Sequence, residues 1–264
     1  MALSFENLRS RRQRVADDWD RTIIAFQSPY RLKDLCIDQS HELEGSEDKT
    51  SRQEFKLRLA TSADRRKLAS VLIQKMYSWR GYDTGEVVQD PYKLVLVAYQ
   101  DNKVVGTLTL GLDSPAGLVV DQLYKEEADE LRAQRRKICD ITRLAIDQDI
   151  KSKSVLAALF HLSFIYGHNI HQSTDFLIEV NPRHVAFYQR MLGFEPLGKE
   201  RMCPRVGAPA MLLRLNLDYA NEQIVLYGGM GAAAPAIKTI YPYFFSKSDE
   251  EGITHRLTSG VPPV

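Results

Sequence analysis

Four polar side chains stand out because the sequence around each is apolar. Asp140 and Arg143 lie three apart in the run Lys137-Ile138-Cys139-Asp140-Ile141-Thr142-Arg143-Leu144-Ala145-Ile146-Asp147. Glu179 interrupts the short apolar stretch from Asp175 to Val180, and Tyr188 shares a helical spacing with Val185, Met191 and Leu192. Carboxylates accept protons, a phenol donates one, and a guanidinium grips a carboxylate in a two-pronged fork. A strand arginine without a partner is costly to bury. Arg143 therefore predicts either a bound carboxylate or a salt bridge to Asp140 or Asp147. In a regular strand Asp140 and Arg143 face opposite sides, and a bulge would re-aim one of them. No Ser–His or Cys–His constellation is readable, which favours direct transfer over a covalent enzyme intermediate. His161, His168, His171 and His184 are possible bases, although each is more readily structural.

The elements that must hold these groups follow from periodicity. Phe55 to Ala60 alternates as a first strand, and Thr61-Ser62-Ala63-Asp64 caps a helix with apolar face Leu68, Val71, Leu72 and Met76. Leu94 to Tyr99 and Val104 to Leu112 read as strands joined by the hairpin signal Asp101-Asn102-Lys103. Leu118 to Arg135 contains a charged amphipathic helix, Ile138 to Ile146 a strand, and Ser154 to Gly167 an apolar helix. Asp175 to Val180 is a buried strand. Asn181-Pro182 then breaks it and starts a helix that Gly193 ends. Phe194 to Arg201 and Pro209 to Leu217 close the order as a last pair of strands. The outcome is an α+β class with a mixed sheet over residues 51–217. Residues 1–50 read as an extension with a basic, helix-prone start. Residues 218–264 read as a tail that packs on the domain or moves freely.

Composition narrows the function classes. The net charge of +1 gives no global pull toward nucleic acid, and 44% hydrophobic with 26% charged residues suits a soluble globular chain. The longest apolar region, Ile224 to Phe245, is broken by three glycines, two prolines and Lys238, so no integral membrane segment is expected. The cysteines at 36, 139 and 203 are odd in number and far apart. They form no metal pattern and no disulfide framework, which fits a cytoplasmic location. Cys139 reads as a buried strand residue.

The block from Glu179 to Phe194 resembles the fifth strand and following helix of the GNAT acyltransferase superfamily. That resemblance implies a fold whose two central strands splay apart to admit a pantetheine arm, with a helix tyrosine facing the thioester sulfur. The strand Asp140-Ile141-Thr142-Arg143-Leu144 is similar to the Glu-x-Ser-Arg-Phe strand of acyl-homoserine lactone synthases. Together with Gly207 to Leu215, these motifs look like those of the long-chain N-acyl amino acid synthases. The resemblance implies a fatty acyl group carried on acyl carrier protein and an amino acid as acceptor. On this reading Asp140 and Glu179 are candidate proton acceptors and Tyr188 donates to the leaving sulfur. An amide near Leu144 holds the oxyanion, and Arg143 takes the substrate carboxylate. Asn181, Trp79, Arg80 and Tyr82 complete the substrate-binding set.

The donor side departs from the wider superfamily. Where its members carry a glycine-rich pyrophosphate loop after the fourth strand, this chain has Gln148-Asp149-Ile150-Lys151-Ser152-Lys153. Lysines stand at both glycine positions, which obstructs close backbone approach to a pyrophosphate. A donor with one phosphate needs no such cradle, and acyl carrier protein, through its 4'-phosphopantetheine arm, fits that description. Lys151, Lys153, Arg135 and Arg136 are then expected to meet its acidic surface. No cofactor is expected to be held tightly. The alternatives are a coenzyme A thioester as donor, in an acetyl-coenzyme A-dependent GNAT enzyme, or a GNAT-like module that binds lipid or carrier protein without turnover.

Overall fold

The computed structural model describes residues 23–28, 53–60, 63–78, 90–100, 103–147, 153–234 and 237–259. A mixed sheet forms its centre. The strands are β1 (Ile24–Ser28), β2 (Gln53–Leu59), β3 (Lys93–Gln100), β4 (Lys103–Leu112), β5 (Ile138–Ile146), β6 (Asp175–Val180), β7 (Glu195–Pro196), β8 (Arg201–Cys203) and β9 (Ala208–Asn216). Their order in space is β1-β2-β3-β4-β5-β6-β9-β7, with β8 also paired to β9. Every pairing is antiparallel except β5 with β6. Only that parallel step needs a crossover. It is supplied by helix α3 (Lys153–Phe164) and a π-helical turn, Ile165–Ile170.

Helices cover both faces. On one face, α3, α4 (Val185–Leu192), α5 (Leu217–Tyr227) and α6 (Lys247–Ser259) share a core with Phe55, Leu96, Leu108, Ile141, Ile178 and Leu213. Helix α3 runs apolar all round and is buried from Val155 to Phe164, as expected for a helix with no solvent side. On the other face, α1 (Ala63–Ser78) packs Ala69, Leu72 and Ile73 on β3 and β4. Beside it, α2 (Asp121–Ala133) packs Tyr124, Ala128 and Leu131 on β5, β6 and β9.

Several expectations need correction. The apolar face of α1 is the expected one only in part, with Leu72 buried and Met76 packed on the same core. Leu68 and Val71 are exposed, while Ala69, Leu72 and Ile73 are buried with Arg65. The buried set recurs at 65, 69, 72 and 73, one step round the helix from the expected stripe. Residues 24–28 form a strand on the sheet edge, while the basic, helix-prone start lies outside the described residues. The strand expected from Phe194 to Arg201 is two short pieces, β7 and β8, meeting opposite ends of β9. The tail is built into the fold. Ile240, Tyr241, Phe244 and Ile253 are buried in the main core, and α6 is clamped by buried ionic contacts. The His161 Nε2–Glu250 Oε2 distance is 3.0 Å, and Asn169 and Lys247 both donate to Glu250 Oε1. The Phe245 amide donates to His161 Nδ1 at 3.0 Å, which leaves Nε2 as the protonated nitrogen facing the carboxylate.

Candidate active site

The site begins where two strands part. Strands β5 and β6 pair over only Ile138↔Asp175, Cys139↔Phe176, Asp140↔Leu177 and Ile141↔Ile178. Beyond Ile141, β5 continues to Ile146 on β4 alone, and Glu179 and Val180 pair with β9 alone. The two strands therefore leave each other with their facing edges no longer joined.

A bulge sits on β5 at this point. Thr109 pairs with Thr142 and Thr107 with Ala145, so two steps on β4 match three on β5. The extra residue falls at Arg143–Leu144, and Arg143 adopts φ 52°. That left-handed conformation costs an L-residue with a side chain about 1–2 kcal/mol. The bulge also explains a burial pattern that alternation forbids. Ile141 and Ile146 are five apart, yet both lie in the core beneath α3. Arg143 is half-buried. Burial lowers its pKa, and Tyr77 stands close enough to raise it. The Tyr77 hydroxyl donates to the Leu144 carbonyl at 2.6 Å. The two expected carboxylate partners of Arg143 are engaged elsewhere: Asp147 pairs with Lys75 and Lys103, and Asp140 takes backbone amides.

Asp140 and Glu179 lie on the α2 side of the sheet. Asp140 is 1% exposed, and its Oδ2 accepts from the amides of Val119 (2.7 Å) and Val120 (3.3 Å) at the start of α2. Burial pushes its pKa up to about 6. Only a residue without a side chain fits opposite it, since a Cβ at Gly111 would come within 2.2 Å of Asp140 Oδ1. Glu179 is treated differently. Its Oε2 takes a short hydrogen bond from Arg205 and a weak one from the Cys203 thiol, while its Oε1 is buried without a partner. Burial, then the neighbouring Asp140 charge, raises its pKa to about 7 against the pull of Arg205. The hydroxyls of Thr107 and Thr109, on the same face of β4, are likewise buried and unpartnered.

Tyr188 comes from the opposite face. Asn181 caps the turn that launches its helix, accepting from the Arg183 amide at 3.3 Å, and Gly193 ends α4 at φ 80°. Both features follow the sequence signals. The Tyr188 ring packs edge-on against Phe160, Phe187 and Phe194. Burial raises its pKa, and the nearby Tyr77 hydroxyl raises it further, so the phenol stays protonated at neutral pH. No described residue hydrogen-bonds its hydroxyl. An idle protonated phenol beside the strand gap is suited to donate to a departing group.

The remaining candidates are dispersed. Asn181 Nδ2 donates weakly to the Pro209 carbonyl at 3.4 Å. Lys153 opens α3 with its ammonium over the Tyr243 ring, 5.4 Å from the centroid. Arg136 is bound to buried Asp175 through Nε at 2.6 Å and Nη2 at 3.0 Å. Arg135 and Arg136 precede β5 whereas Lys153 follows it, so roughly 25 Å of strand separates them. The expected basic patch is thus two separate groups, with Arg136 committed to a structural pair. Lys75 and Lys103 both pair with Asp147, just past the end of β5. Trp79, Arg80, Tyr82 and Lys151 lie outside the described residues. Arg205 was missed in the sequence. It sits in a short turn, and nothing local marks it as Glu179's partner. Cys139 is buried as expected, and burial raises its thiol to about 12. Among the described residues, no group of three metal-binding side chains gathers, and no helix is long and apolar enough to cross a membrane.

The mixed sheet, with its central parallel pair splayed, has the GNAT acyltransferase fold, and this protein is an N-acyltransferase. It belongs to the family of the N-acyl amino acid synthase FeeM, whose family model matches residues 68–216. The solved structure of FeeM, from uncultured soil microbes, superposes with a TM-score of 0.59 at 23% identity, over 64% of this chain and 94% of that one. An acyl-CoA N-acyltransferase from Pseudomonas aeruginosa gives 0.43 at 14% identity, covering 61% and 98%. The CoA-dependent acyl-homoserine lactone synthase BjaI gives 0.44 at 15%, covering 60% and 79%. No curated protein sequence matches the chain.

Proposed function

We propose that this enzyme moves a long-chain fatty acyl group from acyl carrier protein to the amine of an amino acid. The observation that carries the reading is the gap past Ile141 and Ile178, with the idle Tyr188 hydroxyl on one side and the free Glu179 Oε1 on the other. The pantetheine arm enters the gap and borrows backbone groups that β5 and β6 no longer give each other. Arg143, aimed by its bulge, takes the acceptor's carboxylate.

The amine attacks the thioester carbonyl and a C–N bond forms. The nitrogen's proton passes to Glu179. An amide beside Leu144 stabilises the oxyanion. The C–S bond then breaks and the thiolate takes a proton from Tyr188. Glu179 and Tyr188 return to their starting states by proton exchange through solvent. Asp140 contributes by fixing the start of α2, where its Oδ2 accepts from two amides.

Lysines in place of a glycine cradle support the carrier-protein donor, with Lys151 and Lys153 as the cations that would meet its acidic surface. Arg135 and Arg136 belong to the other end of the strand and are left out of this surface. Mass spectrometry of reactions with a fatty acyl carrier protein and pooled amino acids tests the reading. N-acyl amino acids are expected, and their absence would count against it. The second reading, a coenzyme A thioester donor, rests on Lys153 at the start of α3 as a phosphate contact. Turnover with acyl-coenzyme A equal to that with the carrier protein would favour it.

A further inference from the structure

Arg205 lies in the turn between β8 and β9, outside the motifs that mark the site. Its Nη2 binds Glu179 Oε2, and its Nη1 donates to the Val119 carbonyl at 3.1 Å and to Gln122 Oε1 at 2.9 Å. Val119 is the residue whose amide is held by Asp140. One guanidinium thus ties the carboxylate on β6 to the start of α2, while the Cys203 thiol also leans on Oε2. All described contacts of Glu179 fall on one oxygen. Oε1 is buried and faces no partner.

We infer that Arg205 is a positioning residue for the transfer, gripping Glu179 Oε2 so that Oε1 is presented to the acceptor amine. The inference rests on Glu179 being the proton acceptor proposed above. A fork fixed at three points holds the carboxylate in one rotamer, which a freely rotating glutamate could not maintain. It also sets the acidity of the base. Glu179 faces Arg205 and Cys203 from the β8 region, Asp140 from β5 and Tyr124 from α2. Among these, Arg205 is the one cation. It offsets burial and the Asp140 charge, keeping the carboxylate ionised for a useful fraction of the time at neutral pH.

The test is the pH profile of turnover at saturating donor. Arg205→Gln should move the acidic limb upward by about 1–3 units, the usual effect of removing an adjacent opposite charge. Arg201→Gln is the control. Arg201, in the same region, pairs with Glu127 at 2.7 Å and should leave the limb in place. A limb that stays put in a folded, active Arg205→Gln protein would overturn the inference. Should that variant not fold, Arg205→Lys carries the test. It keeps the charge without the fork, so turnover should fall while the limb moves little, and unchanged turnover would overturn the positioning role. A limb that survives in Glu179→Gln would instead show that Glu179 is not the base, a separate failure that removes the inference with it.

Discussion

Asp140 and Glu179 stand on neighbouring parallel strands and on one face of the sheet, yet the fold spends them differently. Asp140 Oδ2 accepts from two backbone amides at the start of α2, whereas Glu179 Oε2 accepts from the Arg205 guanidinium and its Oε1 is buried without a partner. Two carboxylates on one face thus meet different partners, backbone amides on β5 and a guanidinium on β6.

This difference separates two substitutions that look alike. Asp140→Asn keeps a carbonyl oxygen for both amides, so folding and most turnover should survive. Glu179→Gln removes the base and should lower turnover by about 10²- to 10⁴-fold. Equal losses in steady-state assays would mean that the two carboxylates act as a pair.

Tyr188→Phe should leave the ring among Phe160, Phe187 and Phe194 undisturbed. Turnover should fall about 10- to 1000-fold with little change in either Michaelis constant. An unaltered rate would reduce Tyr188 to a core aromatic.

Arg143 combines a strained backbone with a functional side chain. Arg143→Ala and Arg143→Gly should both raise the Michaelis constant for the amino acid. Thermal melts should nevertheless find the glycine variant more stable than the alanine variant by about 1 kcal/mol, because only glycine meets φ 52° without strain. If the two melt alike, the bulge is not where the strain sits.

Donor docking should respond to charge and salt together. Lys151→Glu with Lys153→Glu should raise the Michaelis constant for acyl carrier protein, and high salt should imitate the change. Arg135→Glu, at the far end of β5, should not. Donor kinetics indifferent to the paired lysines would remove the docking surface.

Glu250 predicts an acid-sensitive tail. Burial opposes its ionisation, but His161, Lys247 and Asn169 hold its pKa down to about 2. A carboxylate depressed in the folded state stabilises it above the ordinary pKa near 4.5, and that stability is lost as pH falls toward 2. Glu250→Gln should cost about 3 kcal/mol at pH 7 and much less near pH 2, as read by denaturant titration.

The sequence made some of this legible. Asn181-Pro182, the spacing of Tyr188 and Gly193 form local signals, and each produced the expected turn, helix and cap. Bulge placement was legible as a possibility but not as a position, because the register of β5 depends on β4 and β6. The α1 face was legible in part: Leu72 and Met76 reach the core as expected, while Arg65 and Ala69, weak core signals by type, take the burial expected of Leu68 and Val71. Arg205 and the Glu250 clamp were invisible for a different reason. Each joins residues 26 or more apart in sequence, and no local period marks such a pair.

The four register pairs between β5 and β6 have a mechanical meaning. They are the seam that joins a β1–β5 block to a β6–β9 block, and α3 with the π-helical turn is the covalent strap across it. A ligand arm lying in the gap beyond Ile141 would act as a splice between the blocks. Amide hydrogens along β5 after Ile141 should then exchange more slowly when an acyl-pantetheine is bound, while those of β2 and β3 should be unaffected. The enzyme would be stiffest while loaded and would loosen as the product leaves.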